Sequence, residues 1–462
     1  MTTVTTPEST GTRTGAVLAL ACAGQFVVVL DVAVVNVALP AIRADLGFGS
    51  GTVHWVVVAY ALMLGSFLLL GGRICDVFGR RTALSAGLVL FTLASAGAGM
   101  ASDSATLLVA RAFQGLGAAL IPPAALATIA MTFNDPRARS KALGLYGAVT
   151  GMSASVGVIA SGVITDQLGW RWVFLINLPI GLALAVATLA LLPKGRQNAG
   201  RLSRGIASTV TVSVGVFTLV LGLSEGSTNG WSRVETVGPL VTAVVLLAAF
   251  GVSEHRDATP LVPRAIRSRP VLSSATTAFF LFSALLSFIF LGSLLMQQLL
   301  LYSSATTGLA WLAMTATSFV AAAVTGTRLL PLLGVRPLLL AGLVLLAAAA
   351  LYAGRVEQDT SYVTGVLPAL LLAGTGGGLA APAVQMGALT GVPESAAGVA
   401  AGLLETMRDL GGSVGIAAVA TALASASTAT AFQHAYWIIA GLALAGAITA
   451  LVSIRPTIRK DS

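Results

Sequence analysis

"RICDVFGRR" at residues 73–81 and "RLLPLLGVR" at residues 328–336 share the pattern Arg-x5-Gly-x-Arg. Each stretch lies between the second and third apolar segments of a block of six such segments. Many secondary transporters are built from duplicated halves, with the substrate site between the halves near the middle of the membrane. The repeat therefore predicts two equivalent bundles of six helices.

The composition of the chain excludes a soluble domain. Hydrophobic residues make up 56% of the 462 residues, charged residues make up 9%, and the mean hydropathy is +0.91. An ordinary soluble domain carries about 25% charged residues. The two cysteines are too few for a disulfide framework and have no metal-ligand spacing. We therefore predict an all-α membrane protein whose surroundings are a lipid bilayer.

Apolar segments long enough to cross a bilayer as a helix, about 20 residues each, recur along the whole chain. We predict fourteen transmembrane helices, at residues 14–38, 52–71, 82–101, 104–132, 141–164, 172–192, 206–223, 236–252, 272–300, 306–328, 336–354, 363–389, 396–422 and 432–454.

The distribution of basic residues predicts the orientation. Most of the 26 Lys and Arg residues fall in loops on one side when both termini are placed in the cytoplasm, which is the side that basic loops prefer. The net charge of +9 thus reports orientation and gives no reason to expect a nucleic-acid partner. The predicted division is a cytoplasmic tail at 1–13, an N-terminal six-helix bundle at 14–192, two inserted helices with linkers at 193–270, a C-terminal six-helix bundle at 271–455 and a cytoplasmic tail at 456–462.

Features that would indicate an enzyme are missing or out of context. "GGSVG" at 411–415 fits the serine-hydrolase pattern but lies inside an apolar helix instead of a strand-to-helix turn. The three histidines lack metal-ligand spacing, and no Walker A sequence occurs. We expect a monomer that is not an enzyme, holds no metal or other cofactor and needs no ATPase subunit.

Two charged residues are predicted at matching depth in the membrane. Asp31, inside "VVVLDVAVVNVALPAI" (27–42), lies about 12 Å from the outer end of the first span, and Arg111 lies about 10 Å from the outer end of the fourth. Ionisable groups at such depth usually face the bundle interior and find partners. Three interpretations stay open: a structural ion pair, a proton site, and direct recognition of a cationic substrate.

The thirteenth span carries a second charged group. Glu405 is predicted near the middle of the membrane, and Arg408 and Asp409 follow at i+3 and i+4 on the same helical side. The three can form a network that satisfies itself, or they can supply a second acidic site for protons or cationic drugs. The predicted proton-coupling residues are Asp31, Arg111, Glu405 and Asp409.

Further polar and aromatic residues within the spans suit an apolar cavity that binds a bulky amphipathic small molecule. Packing or a place at the membrane interface would also explain each of them. The predicted substrate-binding residues are Asp31, Gln114, Gln297, Gln298, Trp311, Gln385 and Glu405.

Five motifs, in order and at matching spans, resemble the major facilitator superfamily, and within it the fourteen-span drug:proton antiporter group. The resemblance implies two pseudo-symmetric six-helix bundles plus two inserted linker helices, with the first, fourth and thirteenth spans facing a central cavity. The motifs are "LDVAVVNVALPAI" (30–42), "GGRICDVFGRR" (71–81), "RAFQGLGAAL" (111–120), "GWRWVFLINLPIG" (169–181) and "RDLGGSVGIA" (408–417).

The loop motif between the second and third spans is expected to gate the transporter. Gly79 permits a tight turn, and Asp76 can accept hydrogen bonds from a neighbouring helix N-terminus or pair with an arginine. A solvated basic turn without a gating role is the alternative. The predicted gating residues are Arg73, Asp76, Gly79, Arg80 and Arg81.

The fifth span departs from the antiporter pattern, which ends in Gly-Pro-x-x-Gly-Gly. Val158 replaces the proline and Ser161 replaces a glycine, so the kink that proline would cause is not expected. The remaining small residues predict a face for close helix packing. They are Gly144, Gly147, Gly151, Gly157 and Gly162.

These observations lead us to expect a secondary active transporter of the bacterial plasma membrane. It would export amphipathic, often cationic, drugs or an antibiotic-like metabolite in exchange for protons, by alternating access of the two halves, and so confer antibiotic resistance by multidrug efflux. An uncoupled or sodium-coupled facilitator of another solute is the alternative that the missing proline suggests. A membrane sensor or scaffold that transports nothing is a third possibility.

Overall fold

The computed structural model describes residues 8–48, 53, 55–194, 206–256, 266–302, 304–393, 396–423 and 428–453. Within these ranges the chain is almost entirely helical and contains no strand. The prediction of an all-α membrane protein is confirmed. The predicted tail at 456–462 lies outside the described residues, whereas residues 8–13 of the predicted N-terminal tail form the start of α1.

Sixteen α-helices and three single turns of π-helix make up the described fold. The helices are α1 Glu8–Leu46, α2 Trp55–Phe78, α3 Arg80–Gly99, α4 Ser104–Thr132, α5 Pro136–Leu168, α6 Arg171–Leu175, α7 Asn177–Leu191, α8 Ile206–Asn229, α9 Val234–Arg256, α10 Arg269–Leu294, α11 Ser304–Val324, α12 Leu330–Leu333, α13 Val335–Ala353, α14 Leu367–Leu389, α15 Ala397–Leu423 and α16 Thr428–Ser453. The π turns are Leu295–Leu299, Thr325–Leu329 and Tyr362–Val366.

The helices that could cross a membrane agree only in part with the predicted spans. Twelve segments of the described residues are long and apolar enough to do so. Helices α5 and α15 are not among them: α5 is rich in Gly and Ser, and α15 contains Glu405, Arg408 and Asp409. The count of fourteen spans therefore stays a prediction, as do the domain boundaries at 192 and 270.

The predicted sixth span, 172–192, corresponds to α6 and α7, which together form one segment able to cross a membrane, Arg171–Leu191. The two helices join at Ile176, whose backbone angles are helical. The outer end of α6 is fixed to α1 because Asp45 accepts hydrogen bonds from Arg171 Nη1 at 2.6 Å and Trp170 Nε1 at 3.1 Å. These bonds hold the pKa of Asp45 below its usual value, and the bond from Arg171 has the larger effect. The two bonds to Asp45 fix the helix end that lies just before Asn177, the first residue of α7.

The helices form two bundles with corresponding packing, as the repeat predicts. In the N-half (α1 to α7), α4 packs on α2 and α3, and α1 packs on α5; in the C-half (α10 to α16), α14 packs on α13 and α11, and α10 packs on α15. The repeat glycines, Gly79 and Gly334, occupy the same position before the next helix, with φ of 88° and 76°. Positive φ favours glycine. The same backbone conformation therefore explains the repeated glycine in both halves.

The inserted pair, α8 and α9, forms a hairpin on the outside of the bundles. Helix α8 packs against both α2 and α15, whereas α9 exposes valines such as Val241, Val244 and Val245. Exposed apolar side chains on a membrane-spanning helix face lipid. The hairpin therefore lies over the line where α2 of one half meets α15 of the other.

The halves meet along two seams that the repeat makes equivalent. The first seam joins α2 to α15, where Gly72 and Gly398 lie so close that a Cβ on either would collide with the carbonyl oxygen of the other. The second seam joins α5 to α11, where a Cβ on Gly144 would lie 2.6 Å from Cα of Gly326. Such close approach is possible only between residues without side chains.

We expect Gly72→Ala to open the first seam. The added methyl group would meet the backbone of Gly398, and overpacking of this kind costs about 1–3 kcal/mol. Spin labels at positions 82 and 390, both exposed, should report a longer distance across the seam. Gly251→Ala is the control, because no atom lies within 4 Å of its new Cβ; equal distances in the two variants would contradict the expectation.

Candidate functional site

A buried carboxylate in α1 forms the centre of a polar network inside the N-half. The side chain of Asp31 is only 2% exposed. Its Oδ2 accepts a hydrogen bond from Arg111 Nη1 at 2.5 Å. Its Oδ1 accepts from Gln114 Nε2 at 2.8 Å and from Asn177 Nδ2 at 3.0 Å. The structure thus brings Asp31, Arg111 and Gln114 together, as predicted, and adds Asn177.

Arg111 in α4 is held by more than its carboxylate partner. Its Nε donates to the carbonyl oxygen of Val56 at 2.9 Å, and its Nη1 also donates to Gln114 Oε1 at 2.7 Å. The guanidinium lies over the ring of Tyr60, 4.3 Å from the centroid. A cation over an aromatic face is stabilised by about 2 kcal/mol or more when water is excluded. The charge of Arg111 is therefore partly balanced by neutral groups.

Ser95 in α3 joins the two amides of this network. Its Oγ accepts from Gln114 Nε2 at 2.6 Å and from Asn177 Nδ2 at 3.2 Å. Ser95 and Asn177 were not among the predicted residues. Each is one polar residue in an apolar span, the signal that selected Gln114, so the same criterion could have found them.

A second charged cluster lies on α15 in the C-half. Arg408 Nη1 donates to Glu405 Oε2 at 2.8 Å, and the guanidinium lies 5.0 Å from the ring centroid of Phe282. Asp409 faces another helix, since a Cβ on Gly65 of α2 would lie 3.4 Å from its Oδ2. The three residues therefore form one ion pair and one carboxylate turned towards the opposite half.

The N-half presents a polar pair towards this cluster. The hydroxyl of Tyr146 in α5 donates to Gln25 Oε1 of α1 at 2.9 Å, and both side chains are buried. Tyr146 lies close enough to Glu405 and Arg408 to interact with their charges. Gln25 and Tyr146 were missed, because one polar residue in a span does not reveal which partner helix it meets.

The other predicted substrate residues do not form a single group. Gln385 in α14 is buried and its Oε1 has no hydrogen-bond partner. Trp311 packs within the C-half, where its Nε1 donates to Ser293 Oγ at 3.2 Å. Gln297 and Gln298 are exposed in the π turn that follows α10. That turn lies roughly 20 Å along α10 from Ser283, which is bonded to Gly411 of α15.

The gating loop makes the contact that its sequence suggested. Asp76 Oδ1 accepts from the backbone N–H of Gly398 at 2.7 Å, and Oδ2 accepts from that of Val399 at 2.8 Å. These N–H groups belong to the first turn of α15, where donors lack partners within the helix and a negative charge is favoured. Arg73 also interacts with the charge of Asp76, and Arg80 and Arg81 begin α3.

The predicted glycine face of α5 packs against three helices. Gly144 approaches Gly326 of α11, Gly147 approaches Pro382 of α14, and Gly157 approaches the backbone of α1. The packing of Gly151 and Gly162, and the side chain of Val158, lie outside the described residues. Ser161 Oγ donates to the carbonyl oxygen of Val34 at 2.5 Å. The serine that replaces a motif glycine thus ties α5 to α1 near Asp31.

Comparison with known proteins identifies the family. A family model described as Major Facilitator Superfamily matches residues 21–416. The chain belongs to the Major Facilitator Superfamily. The fold agrees with this assignment: the human organic anion transporter TETRAN superposes with a TM-score of 0.70 at 15% identity, over 95% of this chain and 99% of that one.

Relatives of this superfamily member include proteins named for resistance and export. It is 37% identical to the puromycin resistance protein of Streptomyces alboniger, over 90% of this chain and 83% of the relative. It is 35% identical to the cephamycin export protein of Amycolatopsis lactamdurans, over 91% and 87% of the two chains. The assignment makes this chain a multi-pass membrane transporter of small molecules and not an enzyme.

We expect Ser161→Ala to destabilise this transporter by about 1 kcal/mol, the usual net value of one hydrogen bond. The change removes the bond between α5 and α1, and thermal unfolding in detergent measures it. Ser153→Ala is the matched control, since that buried hydroxyl donates to Val149 of its own helix. An equal loss in both variants would show that the link between helices is not what stabilises the protein.

We expect Asp76→Asn to weaken the first seam. The amide keeps one acceptor oxygen and loses the charge, and hydrogen bonds to a charged group contribute about 1.5–3 kcal/mol. Spin labels at positions 82 and 390 should show a larger seam-open population. Asp103→Asn is the control, because Asp103 caps α4 within its own half; a seam that opens equally in both variants would contradict a specific role for Asp76.

Proposed function

We propose that this transporter exports amphipathic, often cationic, drugs or an antibiotic-like metabolite across a bacterial plasma membrane in exchange for protons. The names of the relatives support export as the direction and antibiotics as the chemical class. Protons are proposed because the chain places ionisable groups where only a paired or neutral form is stable. We place both termini in the cytoplasm because that orientation puts most basic residues in cytoplasmic loops.

The buried pair of Asp31 and Arg111 is the observation that carries the proposal. An ionised carboxylate in a low-dielectric interior needs a partner, and it takes up a proton when the partner moves away. Arg111 can tolerate this step because Val56, Gln114 and the ring of Tyr60 still surround its charge. Asp31 can therefore alternate between an ionised, paired form and a protonated form.

The C-half supplies the second acidic site of the proposal. Asp409 faces Gly65 of α2, and Tyr60 of that helix interacts with the charges of Asp31, Arg111 and Asp409. Tyr60 of α2 thus lies between the acids of the two halves. A cation bound near Asp409 or Glu405 would favour release of the proton from Asp31, which is the coupling that exchange requires.

The position of the two seams supports alternating access. Both seams lie towards the end of the molecule that holds the loop after α2, which the basic residues predict to be cytoplasmic. The described conformation is therefore closed on the predicted cytoplasmic side. Access from that side requires the bonds of Asp76 to α15 and the approach of α5 to α11 to be broken.

Purified protein in liposomes tests the proposal. With an imposed proton gradient, a fluorescent lipophilic cation, puromycin and a cephamycin should each be compared for uphill movement, with a pH-sensitive dye reporting proton flux. We expect Asp31→Asn to abolish uphill movement and Glu405→Gln to reduce it strongly. Glu357→Gln, an exposed loop residue, should retain both fluxes.

Two results would overturn the proposal. Substrate movement that is uphill in Asp31→Asn would show that the buried pair is structural. Movement that ignores the proton gradient, or follows a sodium gradient instead, would assign the chain to the facilitator class that the missing proline of α5 suggests.

A further inference from the structure

One acceptor atom beside Asp31 has no partner. The amide of Asn177 uses its Nδ2 twice, towards Asp31 and towards Ser95. Its Oδ1 is buried and has no hydrogen-bond partner, although Asn177 is only 1% exposed. A buried acceptor left in this state destabilises the fold, so its retention at the centre of the site calls for a physical reason.

The reason lies in what Asp31 needs when it is protonated. In the described arrangement the three side chains bonded to the carboxylate all donate to it: Arg111, Gln114 and Asn177. A carboxylic acid carries an O–H that must itself donate. An environment of donors alone would leave that proton without an acceptor in a region where water is excluded.

The other acceptor atoms of the network are already in use. Gln114 Oε1 accepts from Arg111, and Ser95 Oγ accepts from both amides. The carbonyl oxygens of Val56 and Val28 accept from Arg111 and Tyr60. Of the two side-chain amide oxygens described in this network, that of Gln114 is occupied and that of Asn177, Oδ1, has no donor.

We propose that Asn177 is a positioning residue whose amide reverses when Asp31 gains a proton. With Asp31 ionised, Nδ2 donates to Oδ1 of the carboxylate, as described. With Asp31 protonated, a half-turn about the terminal torsion of Asn177 brings its own Oδ1 to accept the new O–H. That torsion is broad and two-fold, so the reversal moves no helix. It gives up the bonds from Nδ2 to Asp31 and Ser95. In their place Oδ1 accepts from the acid and can accept from the Ser95 hydroxyl, which is also able to donate.

This inference rests on the proposed proton exchange and extends it to a residue that supports both states of the acid. The charged and titratable groups facing Asp31 are Arg111 from α4 and Tyr60 from α2, with Asp409 of α15 acting on the same tyrosine. Helices α3 and α7 contribute the neutral Ser95 and Asn177. Asn177 can thus act either as a donor to Asp31 or as an acceptor from it without changing charge.

Infrared difference spectra of the reconstituted protein, recorded between high and low pH, test the inference. The wild type should show a carboxylic-acid C=O band that disappears in Asp31→Asn, together with a change in a side-chain amide band. In Asn177→Leu the acid band should move to higher frequency, since its O–H has lost the acceptor, and the amide change should vanish. Gln385→Leu is the comparison, because it removes a buried amide in α14 of the other half, and the acid band should stay in place.

The outcomes separate the two claims. If the wild type has no band that depends on Asp31, the proposed protonation of Asp31 fails. If that band exists but has the same frequency in Asn177→Leu, the protonation stands and the role of Asn177 is overturned. Asn177→Ser, which keeps a hydroxyl that can donate or accept, should give an intermediate frequency and serves if the leucine variant does not fold; an unshifted band in it would likewise overturn the role.

Discussion

The charge of Asp31 inside an apolar helix is the constraint on which the rest of the N-half depends. Breaking a buried ion pair by removing one partner costs about 3–5 kcal/mol. Four further helices supply the groups that surround this carboxylate and Arg111, whose Nη2 alone among its nitrogens has no described hydrogen-bond partner. Helix α4 brings Arg111 and Gln114, α3 brings Ser95, α7 brings Asn177 and α2 brings Tyr60. The bundle is arranged around a polar centre as much as around an apolar core.

Much of the architecture could be predicted from sequence, because it follows from local rules. The repeat around Gly79 and Gly334 gave the duplication, since both glycines have the same positive φ. The depths of Asp31 and Arg111 gave their pairing, since two helices of known rise bring equal depths together. The family comparison then confirmed the fold class.

The rest could not be predicted, because it depends on which faces meet. Asn177 stands in one of the quoted motifs as a single polar residue, but the sequence does not show that its side chain meets Asp31 and Ser95. Asp76 finds α15 more than three hundred positions away along the chain. Gln297 and Gln298 looked equivalent to Gln114 by composition, but the π turn after α10 leaves them exposed.

The two seams occupy equivalent positions in the two halves but are held by different contacts. Along the first, the carboxylate of Asp76 bonds the first turn of α15, and the α8–α9 hairpin packs over α2 and α15. Along the second, the described polar link is the neutral hydroxyl of Ser140, which donates to the Gly326 carbonyl at 2.8 Å. The second seam therefore has no described charged contact to break when the halves part. It borders an apolar groove of α11 and α14, about 480 Å³ in volume, so a separation there would open towards the hydrocarbon of the membrane as well as towards water.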